Sequence, residues 1–178
     1  MGRLTSIIAA ICLLAALSGC NTSGCLENRS SVPLVGFYDS ATKKSISLDS
    51  LEIYGADAPG DSILSAPGTP ISQIYLPMRA TKDNVMWFIA YKWKNLDNLD
   101  LVDRIDLDYM ASPYFASEEC GVIYRYRITR CQYTRNLIDS IAITDSLITN
   151  IDTERIKIFF RTSADDEPED QPQESPQP

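Results

Sequence analysis

Histidine is absent from all 178 residues. Without it there is no Ser-His-Asp or Cys-His nucleophile, no imidazole metal ligand and no ordinary general base near neutral pH. Glycine is scarce, eight residues scattered along the chain, and nowhere forms the loop that cradles a phosphate. Long apolar runs are missing as well. The longest, Ile7–Leu17, has eleven residues, against the roughly 18 needed to span hydrocarbon. Basic residues are outnumbered 16 to 24, so the clustered positive surface that nucleic acid requires is not expected. Carboxylate-only chemistry, as in glycoside hydrolysis, is the one catalytic route left open, and no pair of acids is singled out for it. The expectation is a protein that is not an enzyme and takes no cofactor.

What is present begins with the first twenty residues. Arg3 precedes the apolar run, and small residues lead to Leu17-Ser18-Gly19-Cys20. A charged start, an apolar stretch of about 7–15 residues and a small-residue cleavage site make a secretory signal peptide. The Leu-Ser-Gly-Cys ending resembles the lipobox of bacterial lipoproteins. That resemblance implies a diacylglyceryl thioether on Cys20, cleavage before it and acylation of the new amino group. Residues 1–19 are then the signal peptide and Cys20 the lipidation site and membrane anchor, since each buried methylene contributes about 0.8 kcal/mol. In such lipoproteins Asp after the cysteine favours the inner membrane. Here Asn21 occupies that position and implies the outer membrane. Acidic residues soon after the cysteine accompany surface export; Asn21-Thr-Ser-Gly has none, which implies the periplasmic face.

The chain left after residue 19 suits one domain. Its last stretch, 163–178, carries six acids, four prolines, no base and no large apolar residue. Such a segment cannot bury enough surface to offset its ordering entropy and is expected to be disordered. Those six acids account for most of the net charge of −8, leaving −2 on residues 1–162. The reading is a tether over 20–27, one β-sandwich over 28–162 and an acidic Pro-rich tail over 163–178.

Between the ends the dominant pattern is period-two alternation. In Leu101–Tyr109 the residues Leu101, Ile105, Leu107 and Tyr109 share a face, with Asp103 as the one polar intruder. Val122, Tyr124, Tyr126 and Ile128 face away from Arg125, Arg127 and Thr129. Ile156, Ile158 and Phe160 oppose Arg155, Lys157 and Arg161. Further strands are expected at Pro33–Tyr38, Ser45–Tyr54, Ile71–Leu76, Val85–Trp93 and Leu137–Thr144. Turns are expected at Asp39-Ser40, Gly55–Gly60, Asn95–Asp100 and Ser112-Pro113. About eight short strands argue for a single antiparallel all-β sandwich.

Of five cysteines, Cys12 leaves with the signal peptide and Cys20 takes lipid. Cys120 and Cys131 flank one strand and stand about 36 Å apart if it is extended, far beyond the ~7 Å limit for a bridge. Cys25 is then a disulfide partner, and Cys120 is its expected mate because it starts its strand, with Cys131 at the far end left as a small buried hydrophobe. That bridge would hold the domain within roughly 17 Å of Cys20.

Two clusters could bind something. Asp97, Asn98 and Asp100 are weak candidate ligands for calcium, within an acidic run that continues through Asp103 and Asp106 to Asp108. A hard cation wants six to eight oxygens, but charge runs are more often solvated faces and Asx residues more often shape turns. The aromatics Trp87, Tyr91, Trp93, Tyr124 and Tyr126 could line a ligand surface. Their alternation points to core packing, with Trp93 the exception at a strand end beside lysines.

Pro33-Leu-Val-Gly-Phe-Tyr38, Cys120-Gly121-Val122, Asn136-Leu-Ile-Asp-Ser-Ile141 and Ile156-Lys-Ile-Phe-Phe160 together carry a further likeness. In these pieces the chain resembles small lipoproteins of Bacteroides-type bacteria that contain a domain of unknown function. The resemblance implies an all-β lipoprotein, fits the Cys25–Cys120 pairing and supplies no activity or ligand. The function expected is an outer-membrane-anchored binding or accessory protein with a protein partner in the envelope. The alternative is a small-ligand or calcium module built on Asp97–Asp108.

Overall fold

The computed structural model describes residues 30–56, 62–92, 101–118 and 121–162. Among them are ten strands and no helix: β1 (Leu34–Asp39), β2 (Leu51–Gly55), β3 (Ile63–Ser65), β4 (Gln73–Tyr75), β5 (Asn84–Tyr91), β6 (Val102–Ser117), β7 (Gly121–Tyr133), β8 (Ile138–Ile143), β9 (Leu147–Ile148) and β10 (Glu154–Phe160). They form two packed sheets, ordered β4-β1-β10-β8 and β3-β2-β5-β6-β7-β9. The six-stranded sheet is antiparallel throughout. This is the all-β sandwich expected from the alternation.

Three details depart from expectation. The central pair of the smaller sheet, β1 and β10, runs parallel, a pairing that no hairpin connection announces. Two short strands, β3 and β9, cap the edges of the larger sheet. Ser112-Pro113 is not a turn. Both residues lie inside β6, which continues for sixteen residues. Beyond Asp108 no described strand pairs with the β5 side of β6, and a free edge is where a strand admits proline.

The core lies where the alternating faces meet. Val35, Phe37, Ile158 and Phe160 from the smaller sheet pack against Ile53, Trp87, Ile89 and Leu107 from the larger, all at most 2% exposed. Phe37 and Phe160 meet edge to face at 5.4 Å, the arrangement that the ring quadrupoles favour. On the solvent side of the smaller sheet, Glu154 lies across Gly36, where any Cβ would stand 1.8 Å from its Oε2. The Tyr38 hydroxyl donates to the same carboxylate at 2.8 Å.

The sandwich has two distinct ends. At one, the chain enters β1: Leu34 pairs with Tyr75 and Glu154, and the Leu76 amide donates to Pro33. Tyr109 closes the same end, its hydroxyl donating to the Arg79 carbonyl at 2.9 Å. At the other, β10 ends beside the β7–β8 connection, with the Arg161 amide donating to Leu137. Thr162 there donates its hydroxyl to Asp39. That bond, with the Thr42 amide, holds the Asp39 carboxyl down at about 2.

The β6–β7 hairpin is longer than the sheet it belongs to. The β5 ladder stops at Asp108, and the β9 ladder covers only Tyr126 and Arg127. Past these points β6 and β7 pair only with each other among the described strands. A register shift between Asp108 and Tyr109 makes Thr129 the extra residue of a bulge. Bulges bend and twist a ribbon locally, and this one sits where the hairpin leaves the sheet. Gly121, at φ +68°, opens the returning strand in the left-handed region that glycine alone enters without cost.

Candidate functional site

Asp103, the intruder on the apolar face of β6, is fully buried. Its carboxylate accepts five hydrogen bonds. Oδ1 takes the Thr134 hydroxyl at 2.6 Å and the Asn136 amide at 2.8 Å. Oδ2 takes the Tyr91 hydroxyl at 2.9 Å and the amides of Leu137 and Ile138 at 2.8 and 3.0 Å. Burial alone would push the carboxyl up, but the donors from Thr134, Asn136, Ile138 and Leu137 outweigh it and hold it below its ordinary value. The same contact raises the Tyr91 phenol, through burial first and the Asp103 charge second.

The geometry shows what this carboxylate does. β7 belongs to the six-stranded sheet and β8 to the four-stranded one, so residues 134–137 carry the chain from one sheet to the other. Crossing leaves consecutive N–H groups with no ladder partner, and a buried amide without an acceptor is costly. Asp103 accepts three of them and ties the corner to β5 through Tyr91. All five contacts come from the protein itself. Asp103 is a structural staple.

The other described members of the acidic run point elsewhere. Asn84 Nδ2 donates to Asp106 at 2.5 Å and to Asp108 at 2.8 Å, and Arg130 pairs with Asp108 at 3.3 Å. Asp103 is thus on the core face, and Asp106 and Asp108 on the outer one. The described part of the run is divided between two faces and makes no common ligand shell. Among the described residues no group of three or more metal-ligating side chains converges. Asp97, Asn98 and Asp100 lie outside the described residues, as do Trp93, Cys20, Cys25 and Cys120.

Cys131 is a free thiol packed against the core. Burial, with a smaller contribution from Asp106, pushes it up to about 11, so the nucleophilic thiolate is scarce. Alkylation by iodoacetamide in mildly alkaline buffer, followed by peptide mass spectrometry, should leave Cys131 unmodified in the folded chain and label it fully in denaturant. Rapid labelling of the folded chain would contradict its assignment as a packing residue.

The aromatics divide. Trp87 and Tyr126 are buried at 1% and 4% exposure, and Tyr91 is bound to Asp103. Tyr124 is not in the core. It shares the Tyr126 face of β7, but it stands on the projecting hairpin, where the smaller sheet no longer covers that face. Cross-strand pairing puts Pro113 beside Tyr124 and Phe115 beside Val122. Phe115 and Val122 are 59% and 63% exposed. On the opposite face Met110 is exposed, and the Arg125 guanidinium stacks on Tyr114 at 3.0 Å from the ring centroid.

Eight large hydrophobic side chains are exposed among the described residues, and five stand on this arm. Two more, Tyr75 and Ile151, lie at the same end of the sandwich. The eighth, Ile63, is on the edge strand β3. This exposed apolar surface makes the arm the candidate site. Ending the first strand at Tyr109 hides the outgoing half of the arm. Its signal is the return of β-forming residues, Tyr114 and Phe115, directly after Pro113.

The arm and the Asp103 staple fall within one recognised sequence unit. The model of a family of unknown function, DUF6452, matches residues 50–160. The chain belongs to that family. No curated protein and no solved structure matches it. The DUF6452 match runs from β2 to the end of β10. It includes Asp103 with all its donors and the whole arm. β1, the parallel partner of β10, lies before its start.

Proposed function

We propose that this DUF6452 chain is a lipoprotein of the Bacteroides type, acylated on Cys20, held at the periplasmic face of the outer membrane and acting as a non-enzymatic accessory to another envelope protein. The observation that carries the reading is the opposition of the two ends. The chain enters β1 at the end where the arm projects and leaves through Thr162 at the far end. A lipid at Cys20 then draws the first end to the bilayer and leaves the second pointing away from it. The second end leads into the acidic residues 163–178, which extended reach about 50 Å at ~3.1 Å per residue. That segment complements a partner with a basic surface. The absence of histidine and the saturation of the buried Asp103 favour binding over catalysis.

Crosslinking in native cells, detergent extraction and mass spectrometry of the captured complex test the reading. Full-length chain should recover one near-stoichiometric envelope protein, and a chain ending at Thr162 should recover much less of it. Equal recovery would reduce the tail to a solubilising appendage. No enriched envelope protein would overturn the accessory role.

A further inference from the structure

We propose that the projecting β6–β7 arm is a second membrane contact, lying along the lipid surface beside the N-terminal anchor. The proposal rests on the lipoprotein reading and adds the surface through which the domain itself meets the bilayer. Three observations carry it.

The first is position. The chain outside the structure on the N-terminal side joins the body at the end from which the arm projects, through the Leu76–Pro33 bond and the pairing of Leu34 with Tyr75. Tyr109, at the base of the arm, is bonded to Arg79 in the segment that follows β4. Cys20 stands thirteen residues before Pro33, at most about 45 Å of chain. The outgoing strand of the arm, Met110–Ser117, reaches about 25 Å at ~3.3 Å per residue. A lipid on Cys20 therefore keeps the arm within reach of the membrane.

The second is the arm's chemistry. Tyr124, of the aromatic class that gathers where hydrocarbon meets headgroups, shares its face with Phe115 and Val122, while Met110 and Tyr114 stand on the other. From Tyr109 to Arg130 the chain carries Arg125, Arg127 and Arg130 against Glu118 and Glu119, and Arg130 is paired with Asp108 at the base of the arm. In a chain of net charge −8 Arg125 and Arg127 are the cations that this stretch offers to anionic lipid headgroups. Arg125 stacks its guanidinium on the Tyr114 ring, a cation–π contact. Glu118, at the end of the outgoing strand, disfavours deep insertion tip first, so the arm lies flat.

The third is the uncovered face. Tyr109 and Tyr126, packed edge to face at 5.4 Å, are the last aromatic pair covered by the body. The next same-face pairs, Pro113 with Tyr124 and Phe115 with Val122, continue that face into solvent. A two-stranded ribbon is marginal in water by itself, and a lipid surface supplies the layer that the smaller sheet does not.

The test is quenching by lipids. Full-length chain carrying Phe115→Trp is purified, and the acyl mass on Cys20 is read by intact-protein and peptide mass spectrometry. The same protein is reconstituted into vesicles of phosphatidylethanolamine and phosphatidylglycerol with brominated acyl chains. Val122→Trp is a second reporter on the arm, and Ile63→Trp is the control on β3. The side chains replaced are all exposed, so the folded body is undisturbed. The arm reporters should shift to the blue and be quenched several-fold more than the control. An acylated chain whose arm reporters are quenched no more than Ile63→Trp overturns the proposal and leaves the anchor standing. A chain without acyl mass on Cys20 overturns the anchor and the proposal with it. A blue shift that follows protein concentration and ignores bromine assigns the arm to a second copy of the chain and also overturns the proposal.

Discussion

Asp103→Ala should lower the free energy of unfolding by about 4 kcal/mol, because it leaves buried donors unmatched, each worth roughly 1–3 kcal/mol, with water restoring part of the loss. Against a total of about 5–15 kcal/mol for a domain, a change of that size threatens folding at physiological temperature. Urea denaturation followed by tryptophan fluorescence is the measurement. Asp103→Asn should be damaging too, since its amide nitrogen faces a donor where the carboxylate accepted one. Tyr91→Phe removes a single donor and should cost about 1 kcal/mol, and Thr134→Val should cost somewhat more because its hydroxyl also accepts the Arg104 amide. A loss below about 1 kcal/mol for Asp103→Ala would refute the staple.

The same residue makes stability depend on pH. The Asp103 carboxyl titrates below its ordinary 3.8 in the folded chain, so the unfolded chain binds the proton more readily. Its contribution is complete above the unfolded value and is lost as pH falls through the lower folded one. Asp103→Asn should therefore flatten the acid limb of the stability curve and leave the neutral region parallel to wild type. An acid limb unchanged by Asp103→Asn would show that other carboxylates govern it.

Trp87→Ala should cost about 3–5 kcal/mol, the range for removing a large side chain from a close-packed interior. Trp87 is 1% exposed and sits in the central strands of the larger sheet. Phe115→Ala, at 59% exposure, should stay within about 0.5 kcal/mol, as substitutions away from packed features do. The contrast matters for function: an aromatic kept on the surface at no benefit to stability has another use. If Phe115→Ala destabilised the free domain as Trp87→Ala does, the arm would be a packing element of the body.

The alternation of apolar residues made most of the fold legible. Each of the eight expected strands overlaps an observed one, with Ser45–Tyr54 a strand only from Leu51 onward, because a strand buried on one face repeats its pattern every two residues. β9, with two residues, is too short to show any period, and Ile63-Leu64-Ser65 of β3 does not alternate. The parallel pairing of β1 with β10 joins segments about 120 residues apart, and no local signal records such a partner. Ser112-Pro113 was misleading for a different reason. Proline and serine favour turns, but a strand edge without a neighbour tolerates both, and only the sheet order shows that the edge is free.

Asp103 was visible as an anomaly, a carboxylate on an apolar face. Its meaning was not, because its donors come from Tyr91 and from 134–138, which the crossing between sheets brings to it. Tyr124 departs in the opposite sense. It alternates with Tyr126 and shares its face, but periodicity says which residues point the same way and nothing about whether another layer lies over them.

The amino-acid sequence by itself determined the all-β class, the lack of histidine chemistry and the distribution of charge, since each follows from composition or from a period of two along the chain. The tertiary structure alone decided that Asp103 is a satisfied staple, that the chain enters and leaves at opposite ends, and that one apolar face runs past its cover. Burial is a property of what lies across from a residue, and that partner is set by packing between sheets.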